Sequence, residues 1–331
     1  MLANADSLSA KDRIVALTGG TGFIGGSVLR HLLRAGWQVR VLARSSASLS
    51  ALPLSSAVHC ISGSLEDSDS LSQLVQGAYA VVHCAGTVRG ITQAYFGQAN
   101  VDGVVRLVRA ASSQELPPRF LALSSLAARE PHLSPYAASK WQGECALTAG
   151  AGAMTWTVLR PPPVYGPGDR ELLPLFRWMG RGFAPLAGSQ EARFSLLYVE
   201  DLAAAILQWL RHPSSVMGVF ELHDGHPGGY TWQDVIDTVA NLRSRQIWSI
   251  PLPIASLRLL AKLNVAAARL GRYAPMLTPG KVRELNHPDW VCDNTPLNHA
   301  IGWKPQITLE EGLHRTFGWR TQLTPRIDFN R

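Results

Sequence analysis

One short segment near the start of the chain constrains the fold more than any other. Residues 18–25 read TGGTGFIG, directly after the apolar run Arg13–Thr18 and at the start of helical spacing over Phe23–Ala35. A backbone that turns this tightly from a strand into a helix needs glycine where it approaches a ligand closely. The helix N-terminus offers free N–H groups and a partial positive charge to an anion. The segment predicts a dinucleotide pyrophosphate site, and a glycine-rich turn without a ligand is the alternative.

Strand and helix patterns alternate through the first half of the chain. Helical spacing covers Phe23–Ala35, Tyr95–Ser112 and Pro135–Leu147. The strand-like apolar segments are Arg13–Thr18, Trp37–Ala43, Ala57–Ile61, Tyr79–Cys84, Phe120–Leu123 and Thr155–Leu159. Strands that are apolar throughout belong to a parallel sheet with both faces covered by helices. The predicted fold class is therefore α/β, with a doubly wound Rossmann sheet.

The pattern changes after residue 160, where four prolines fall within seven residues, 161–167. A strand Phe194–Val199 and a helix Asp201–Leu210 follow, and most of the remainder has helical spacing. The later predicted helices are Trp232–Leu242, Ile254–Leu270 and Leu309–Trp319. At about 150 residues per domain, 331 residues suggest two domains. We expect a nucleotide-binding domain of residues 11–165 plus 193–212, and a smaller, mostly helical substrate domain of residues 166–192 plus 213–322.

Composition excludes several classes of protein. Charged residues make up 17% and hydrophobic residues 46% of the chain, so a disordered protein is excluded and a large core is expected. The net charge of +7 is dispersed, without the basic runs typical of nucleic-acid binding. The four cysteines lie far apart and do not have metal-site spacing. A polar N-terminus and the lack of a long apolar segment argue against a signal peptide and a membrane span. We expect a cytoplasmic protein without a metal, and a homodimer is possible.

The segment Ile250–Leu270 has two interpretations. It is rich in leucine and alanine, and its only charged residues are Arg258, Lys262 and Arg269. It is either a core helix of the substrate domain or an amphipathic helix near an apolar substrate mouth or a membrane surface. The second interpretation allows peripheral membrane contact through residues 250–270.

Charge near the second strand bears on which dinucleotide binds. An NAD site usually has an acidic residue about 20 residues beyond the glycines, where it binds the ribose 2′-hydroxyl. No Asp or Glu occurs from Arg13 to Leu65, and the second strand ends in Arg44. An arginine there suits a 2′-phosphate. This favours NADP(H) over NAD(H), although an ordinary exposed arginine would leave the site open to either cofactor.

A catalytic set is indicated by YAASK, residues 136–140. Tyr136 and Lys140 are four residues apart and share one face of the predicted helix. A cation about 4 Å from the phenol at an effective dielectric of about 20 is worth roughly 4 kcal/mol, enough to bring the phenol pKa near neutrality. Ser124 and Ser125 follow the fifth strand, where ligands bind in an open parallel sheet. We expect Ser125 to hold a substrate oxygen beside Tyr136.

These motifs together resemble the extended short-chain dehydrogenase/reductase family, which includes the NAD(P)-dependent epimerase/dehydratases and 3β-hydroxysteroid dehydrogenase-like enzymes. The likeness covers about residues 13–320. Further segments that carry it are HCAG at 83–86, ANVDG at 99–103, LRPPPVYGPGD at 159–169, FSLLYVEDLA at 194–203 and IGWKPQITLEEGL at 301–313.

The resemblance implies roles for individual residues. Tyr136 would be the catalytic acid/base, Lys140 would bind the nicotinamide ribose and lower the tyrosine pKa, and Ser125 would orient the substrate oxygen with Ser124 behind it. Asn100 looks like the family's structural asparagine. The implied cofactor-binding residues are Gly19, Thr21, Gly22, Phe23, Ile24, Gly25, Arg44, Ser64, Leu65, Cys84, Ala85, Gly86, Tyr136, Lys140 and Pro163. Ser64 replaces an acidic residue that the family often places near the adenine.

Two departures from the family pattern bear on the substrate. Sugar-nucleotide enzymes of this family usually carry asparagine where Pro163 stands, and proline has neither an amide side chain nor a backbone N–H. The arginine they use for the diphosphate is also out of register, because Arg193 lies one residue early and Phe194 fills the position. We therefore expect hydride transfer between NADP(H) and a secondary alcohol or ketone of apolar character. The alternatives are a nucleotide-sugar epimerase or dehydratase with tightly bound NAD, and a non-catalytic NADP-sensing or assembly protein.

Overall fold

Seven parallel strands form the main sheet of the protein, in the spatial order Gly218–Glu221, Trp156–Arg160, Arg119–Leu123, Ala80–His83, Ile14–Thr18, Gln38–Ala43 and Val58–Ser62. A computed structural model describes residues 14–44, 55–189, 191–213 and 216–320. The strands are β1 Ile14–Thr18, β2 Gln38–Ala43, β3 Val58–Ser62, β4 Ala80–His83, β5 Arg119–Leu123, β6 Trp156–Arg160, β7 Val164–Tyr165, β8 Phe183–Ala187, β9 Arg193–Phe194, β10 Leu197–Tyr198, β11 Gly218–Glu221, β12 Trp248–Leu252 and β13 Asp289–Trp290. The strand order reverses between β1 and β4, the position where open α/β sheets bind their ligands.

Helices cover both faces of this sheet. The helices of the described residues are α1 Phe23–Arg34, α2 Ser68–Val75, α3 Gln93–Gly97, α4 Gly103–Ser112, α5 Pro135–Gly150, α6 Leu173–Gly180, α7 Val199–Arg211, α8 Trp232–Arg243, α9 Ile254–Gly271, α10 Pro279–Leu285, α11 Thr295–Ile301 and α12 Leu309–Phe317. Side chains alternate along a strand. Val15 and Leu17 pack in one core cluster with Trp209 of α7, whereas Ala16 packs in a second cluster with Leu107 of α4. The doubly wound Rossmann sheet predicted from the sequence is confirmed.

The predicted helix Tyr95–Ser112 differs from the structure in one respect. It begins at Gln93 and is interrupted by a wider π-helical turn, Gln98–Asp102, between α3 and α4. A Cβ on Gly143 of α5 would lie 2.3 Å from the carbonyl oxygen of Asn100, so the two helices touch through backbone at this turn. The π turn brings Asn100 against α5, and hydrophobic spacing alone does not reveal such a bulge.

Two later predictions also change in detail. The strand predicted over Phe194–Val199 consists of two short strands, β9 and β10, which pair with β13 and β7 rather than with the main sheet. The helix predicted over Leu309–Trp319 ends at Phe317, because Gly318 adopts φ +70° and caps it in the left-handed conformation.

A second unit follows the nucleotide half and contains two-stranded sheets, β12 with β8 and β13 with β9, and most of the later helices. Its core includes Phe176, Val239 and Leu313. The predicted domain bounds place residues 218–221 in this unit, yet those residues form β11 and pair with β6 in the main sheet. Leu297, Ile301 and Trp303, assigned to the same unit, lie in the core cluster of the main sheet. The rest of the predicted division stays a prediction, and its residues 11–13, 45–54, 190, 214–215 and 321–322 lie outside the described residues.

Candidate active site

The glycine turn between β1 and α1 is tight enough to exclude side chains at two positions. Gly19 has φ +73°, and a Cβ there would lie 2.7 Å from the backbone nitrogen of Ala85. A Cβ on Gly25 would lie 2.1 Å from the carbonyl oxygen of Gly19. Gly22 donates its N–H to that same oxygen at 2.9 Å and caps α1. Because these positions of the turn carry no side chain, a pyrophosphate can approach the backbone closely at the start of α1.

The segment after β4 forms the opposite wall of the turn. The Thr18 hydroxyl lies 2.7 Å from His83 Nδ1 and accepts a hydrogen bond from the backbone N–H of Ala85 at 3.3 Å. Burial, with a smaller contribution from Lys140, lowers the pKa of His83 to about 3, so the imidazole is neutral. The hydrogen bonds fix Cys84, Ala85 and Gly86 beside the glycine turn.

The remaining predicted cofactor residues lie near the carboxyl ends of other strands. Arg44 is exposed immediately after β2. Ser64, after β3, accepts a hydrogen bond from the N–H of Glu66 at 3.1 Å, and Leu65 lies against Gly103. Pro163 is exposed and accepts a hydrogen bond from the N–H of Leu197 at 3.2 Å. At the start of α1, Thr21 and Gly22 are exposed, whereas Phe23 and Ile24 are partly buried.

Ser125 and Tyr136 come together although they lie on different elements. Ser125 begins a short 3₁₀ turn, Leu126–Arg129, and its hydroxyl accepts from the N–H of Ala127 at 3.2 Å. Tyr136 lies in the first turn of α5, after the capping residue Ser134 and a proline that suits this position. Ser125 acts on Tyr136 as a hydrogen-bonding side chain that lowers the pKa of the phenol, so the two side chains lie near each other. The eleven-residue spacing between them therefore allows both to reach one site.

The phenol and the ammonium titrate differently from the sequence expectation. Burial raises the pKa of Tyr136 to about 12, despite the hydrogen bond with Ser125, which lowers it. The prediction of a phenol pKa near neutrality is wrong for the protein without a bound dinucleotide. Lys140 donates to the carbonyl oxygen of Leu123 at 2.9 Å, and burial lowers the lysine pKa to about 8. Burial is the largest cause of both shifts, and Lys140 is not among the groups that shift the pKa of Tyr136.

Two residues behind the site were missed by sequence reasoning. Ser124 donates to Glu144 at 2.5 Å, and Arg160 of β6 pairs with the same carboxylate at 2.6 Å. Glu144 follows Lys140 by four residues on α5, so a shared helix face was the available signal. Asn100 donates to the Thr87 carbonyl oxygen and to Ser139, at 3.0 and 2.9 Å, as a structural residue would.

Glu284 is a third missed residue, and it comes from the second unit. Ser134 accepts from the N–H of Ala137 at 2.9 Å and donates to the buried carboxylate of Glu284. Lys281 also contacts this carboxylate, at 2.9 Å. The negative charge of Glu284 is one of the groups that raise the pKa of Tyr136. No local pattern in the sequence connects residues 134 and 284.

The fold and this site together define an NAD(P)-binding oxidoreductase of the extended short-chain dehydrogenase/reductase type. More particularly, the chain belongs to the NAD dependent epimerase/dehydratase family, whose model matches residues 15–221. The resemblance to the extended short-chain dehydrogenase/reductase family that the sequence indicated is thereby confirmed.

Similar proteins include both reductases and epimerases. The chain is 35% identical over 306 residues to a ceramide reductase from Caulobacter vibrioides, covering 92% of this chain and 94% of the relative. It is 25% identical over 328 residues to a UDP-glucose 4-epimerase from Vibrio cholerae, covering 91% and 94%. A UDP-glucuronic acid 4-epimerase from Bacillus cereus, solved with NAD, has the same fold with a TM-score of 0.71 and 17% identity, covering 92% and 95%.

Two other kinds of site are absent from the described residues. No group of three or more His, Cys, Asp or Glu side chains there could bind a metal ion. None of the helices in those ranges combines the length and the apolar character that a membrane crossing demands.

Proposed function

We propose that this protein is an NADP(H)-dependent oxidoreductase that interconverts a ketone and a secondary alcohol in an apolar substrate. The observation that carries the proposal is the contact between Ser125 and Tyr136 at the carboxyl end of β5. The side chains next to Ser125, Leu126 and Ala127, are buried and apolar. A dehydratase would need an additional acid/base pair there, whereas a ketone reductase needs one proton donor.

In the proposed reaction, the dinucleotide supplies or accepts the hydride. For reduction, the Ser125 hydroxyl donates a hydrogen bond to the substrate carbonyl oxygen and holds it beside Tyr136. The Tyr136 hydroxyl gives its proton to that oxygen, forming the alcohol, and solvent later restores the proton. A phenol pKa of about 12 keeps the donor protonated at neutral pH. In the direction of ketone reduction, the high pKa of Tyr136 therefore favours the protonated phenol that the reaction requires.

The residues present fit a dinucleotide. Gly19 and Gly25 form a turn that no Cβ could enter, and the ammonium of Lys140 lies 3.5 Å from where a Cβ on Gly86 would be. We propose that Lys140 binds the nicotinamide ribose from this position. Arg44, exposed after a strand in a stretch free of carboxylates, supports a 2′-phosphate partner and therefore NADP(H).

An apolar substrate is supported by three residues and by the named relatives. Pro163 has no amide to offer a sugar, and the Arg193 guanidinium donates to the carbonyl oxygen of Gly228 at 3.2 Å. Phe194, in the register position of the family's arginine, packs on Trp232 with ring centroids 4.7 Å apart. Relatives with lipid-like substrates in their names include the ceramide reductase and a 2-alkyl-3-oxoalkanoate reductase from Stenotrophomonas maltophilia.

A nucleotide-sugar epimerase is the second candidate, favoured by the relative named as a UDP-glucose 4-epimerase. Solved NAD-bound epimerases share the fold. Such an enzyme would retain its NAD and consume no added dinucleotide. A non-catalytic NADP-sensing or assembly protein is the third, although such proteins typically lack the tyrosine or lysine that this chain has. The homodimer and the cytoplasmic location stay predictions.

The purified protein should be titrated with NADPH and NADH separately and then assayed on long-chain ketones, including the ketone form of ceramide, and on UDP-glucose. We expect NADPH oxidation with a long-chain ketone. Tyr136→Phe should lose about 10²–10⁴-fold in kcat because it removes the proton donor. The exposed Tyr273 provides a matched control in Tyr273→Phe.

The other outcomes distinguish the alternatives. Release of bound NAD on denaturation, with conversion of UDP-glucose and no net dinucleotide turnover, would establish the epimerase. Dinucleotide binding without any turnover, unaffected by Tyr136→Phe, would indicate the non-catalytic protein.

A further inference from the structure

We propose that helix α9 docks this protein on the surface of an anionic membrane. The helix is eighteen residues long, and its residues form three stripes that repeat at helical spacing. Leu257, Ala261 and Ala268 form the first stripe, which is buried against the protein. This stripe orients the helix and decides which side chains point away from the protein.

The second stripe is apolar and faces outward. Leu259, Leu263 and Leu270 are 59%, 58% and 88% exposed, and Leu260 beside them is 53% exposed. On a helical wheel this stripe is centred about 160° from the buried one. Large leucines grouped on the outer side of a surface helix indicate an interaction site, because water is an unfavourable environment for them.

The third stripe is basic and lies along one flank of the leucines. It consists of Arg258, Lys262 and Arg269, all exposed. The wider segment 238–283 contains eight lysines and arginines and no Asp or Glu. Lys281 of this segment pairs with Glu284, whereas Arg258, Lys262 and Arg269 lie exposed beside the leucines. Positive charge next to exposed leucines is the pattern of a helix that lies in a lipid headgroup region and binds anionic lipids. This charge complementarity favours an anionic bilayer over a second copy of this chain, which would bring like charges together.

Neighbouring elements extend the apolar surface and connect it to the site. β12 leads into α9 through Pro253, and its alternate residues Trp248 and Ile250 are exposed. Beyond α9, a Cβ on Gly280 of α10 would lie 2.8 Å from Cβ of Ser134, the residue that caps the helix of Tyr136. The docking helix is therefore separated from the catalytic helix by α10 alone. A membrane-resident substrate would have a short path to the site, but the docking itself does not depend on the proposed reaction.

The test is co-sedimentation of the full chain with vesicles of phosphatidylcholine alone or with about one third phosphatidylglycerol. We expect binding to the anionic vesicles that weakens at high NaCl, because salt screens exposed charges. One variant replaces three leucines by glutamine, at 259, 263 and 270. Another replaces three basic residues by glutamine, at 258, 262 and 269. At about fivefold per basic side chain, the second variant should lose roughly 100-fold in partitioning.

Matched controls change the same chemistry elsewhere on the surface. They are Val105→Gln with Leu116→Gln, and Arg34→Gln with Arg109→Gln and Arg211→Gln. Retained NADPH binding and an unchanged unfolding temperature establish that each variant is folded. Controls that bind like the original protein, with loss in both α9 variants, support docking.

Three outcomes would overturn the proposal. The first is no sedimentation with anionic vesicles, and the second is equal loss in the control variants. The third is a dimer, seen by light scattering, that the leucine variant converts to a monomer while vesicle binding is unchanged. That result would assign the leucine stripe to a second copy of the chain. Since vesicle binding is measured without turnover, failure of the proposed reaction would not affect this test.

Discussion

The two longest stretches of this chain without carboxylates are residues 14–65 and 238–283, and they present positive character in opposite ways. In the first, the glycine turn forms the N-terminus of α1, and an exposed arginine follows β2. In the second, the positive groups are side chains on an outer helix flank. The difference lies in whether backbone N–H groups or side chains would meet the anion that we propose for each stretch.

We expect the largest effect on this comparison from adding a single methyl group to the glycine turn. Gly25→Ala should weaken dinucleotide binding by about 100-fold or more, because its Cβ would meet the Gly19 carbonyl at 2.1 Å and displace the turn. Fluorescence titration with NADPH measures the loss. Gly26→Ala is the control, since its Cβ would have no neighbour closer than 3.6 Å. It should bind normally and gain about 0.5–1 kcal/mol in stability. Equal effects of both variants would refute the role of the turn.

A smaller effect is expected from Arg44, the side-chain cation that we propose meets the 2′-phosphate. Arg44→Gln should raise the KM for NADPH about 10- to 100-fold, the value of charge-assisted hydrogen bonds to a phosphate. The KM for NADH should stay unchanged. Arg34→Gln, an exposed arginine at the end of α1, serves as the control. Parallel changes with both dinucleotides would contradict a 2′-phosphate contact and remove Arg44 from the comparison.

The smallest effect concerns Glu284, the first carboxylate after the second stretch, which points inward toward Tyr136. Glu284→Gln removes a negative charge and should lower the pKa of Tyr136. Alcohol oxidation requires the phenolate, so its rate rises with pH, and this rise should move to lower pH in the variant. The pH profile of kcat/KM measures the shift, and the exposed Glu66→Gln should leave it in place. A variant that is less stable but has an unchanged pH profile of kcat/KM would contradict an effect on Tyr136. Glu284 would then only stabilise the helix cap at Ser134.

The sequence predicts those parts of the molecule that depend on neighbours along the chain. Gly19 and Gly25 are recognisable because the turn, strand and helix are contiguous, and Tyr136 with Lys140 because one helix carries both. The Ser134–Glu284 contact joins residues 150 positions apart, so no periodicity reveals it. The pKa predicted for Tyr136 was wrong for a related reason. Burial sets this pKa, and burial depends on residues from many parts of the chain that pack around the phenol. The exposed leucines of α9 could be proposed from sequence but not distinguished from a core helix until its buried stripe was known.

The position of β11 at the outer edge of the main sheet has a consequence for synthesis of the chain. β6 ends at Arg160 and pairs with β5 along one edge. The strand that pairs with its other edge, β11, begins only at Gly218, after α6 and β8. As the chain emerges from the ribosome, β6 therefore has an unpaired edge for more than fifty residues of translation. A fragment that stops near residue 165 would keep that edge permanently open and invite pairing with other chains. The main sheet cannot be completed before α6 and β8 of the second unit have been made.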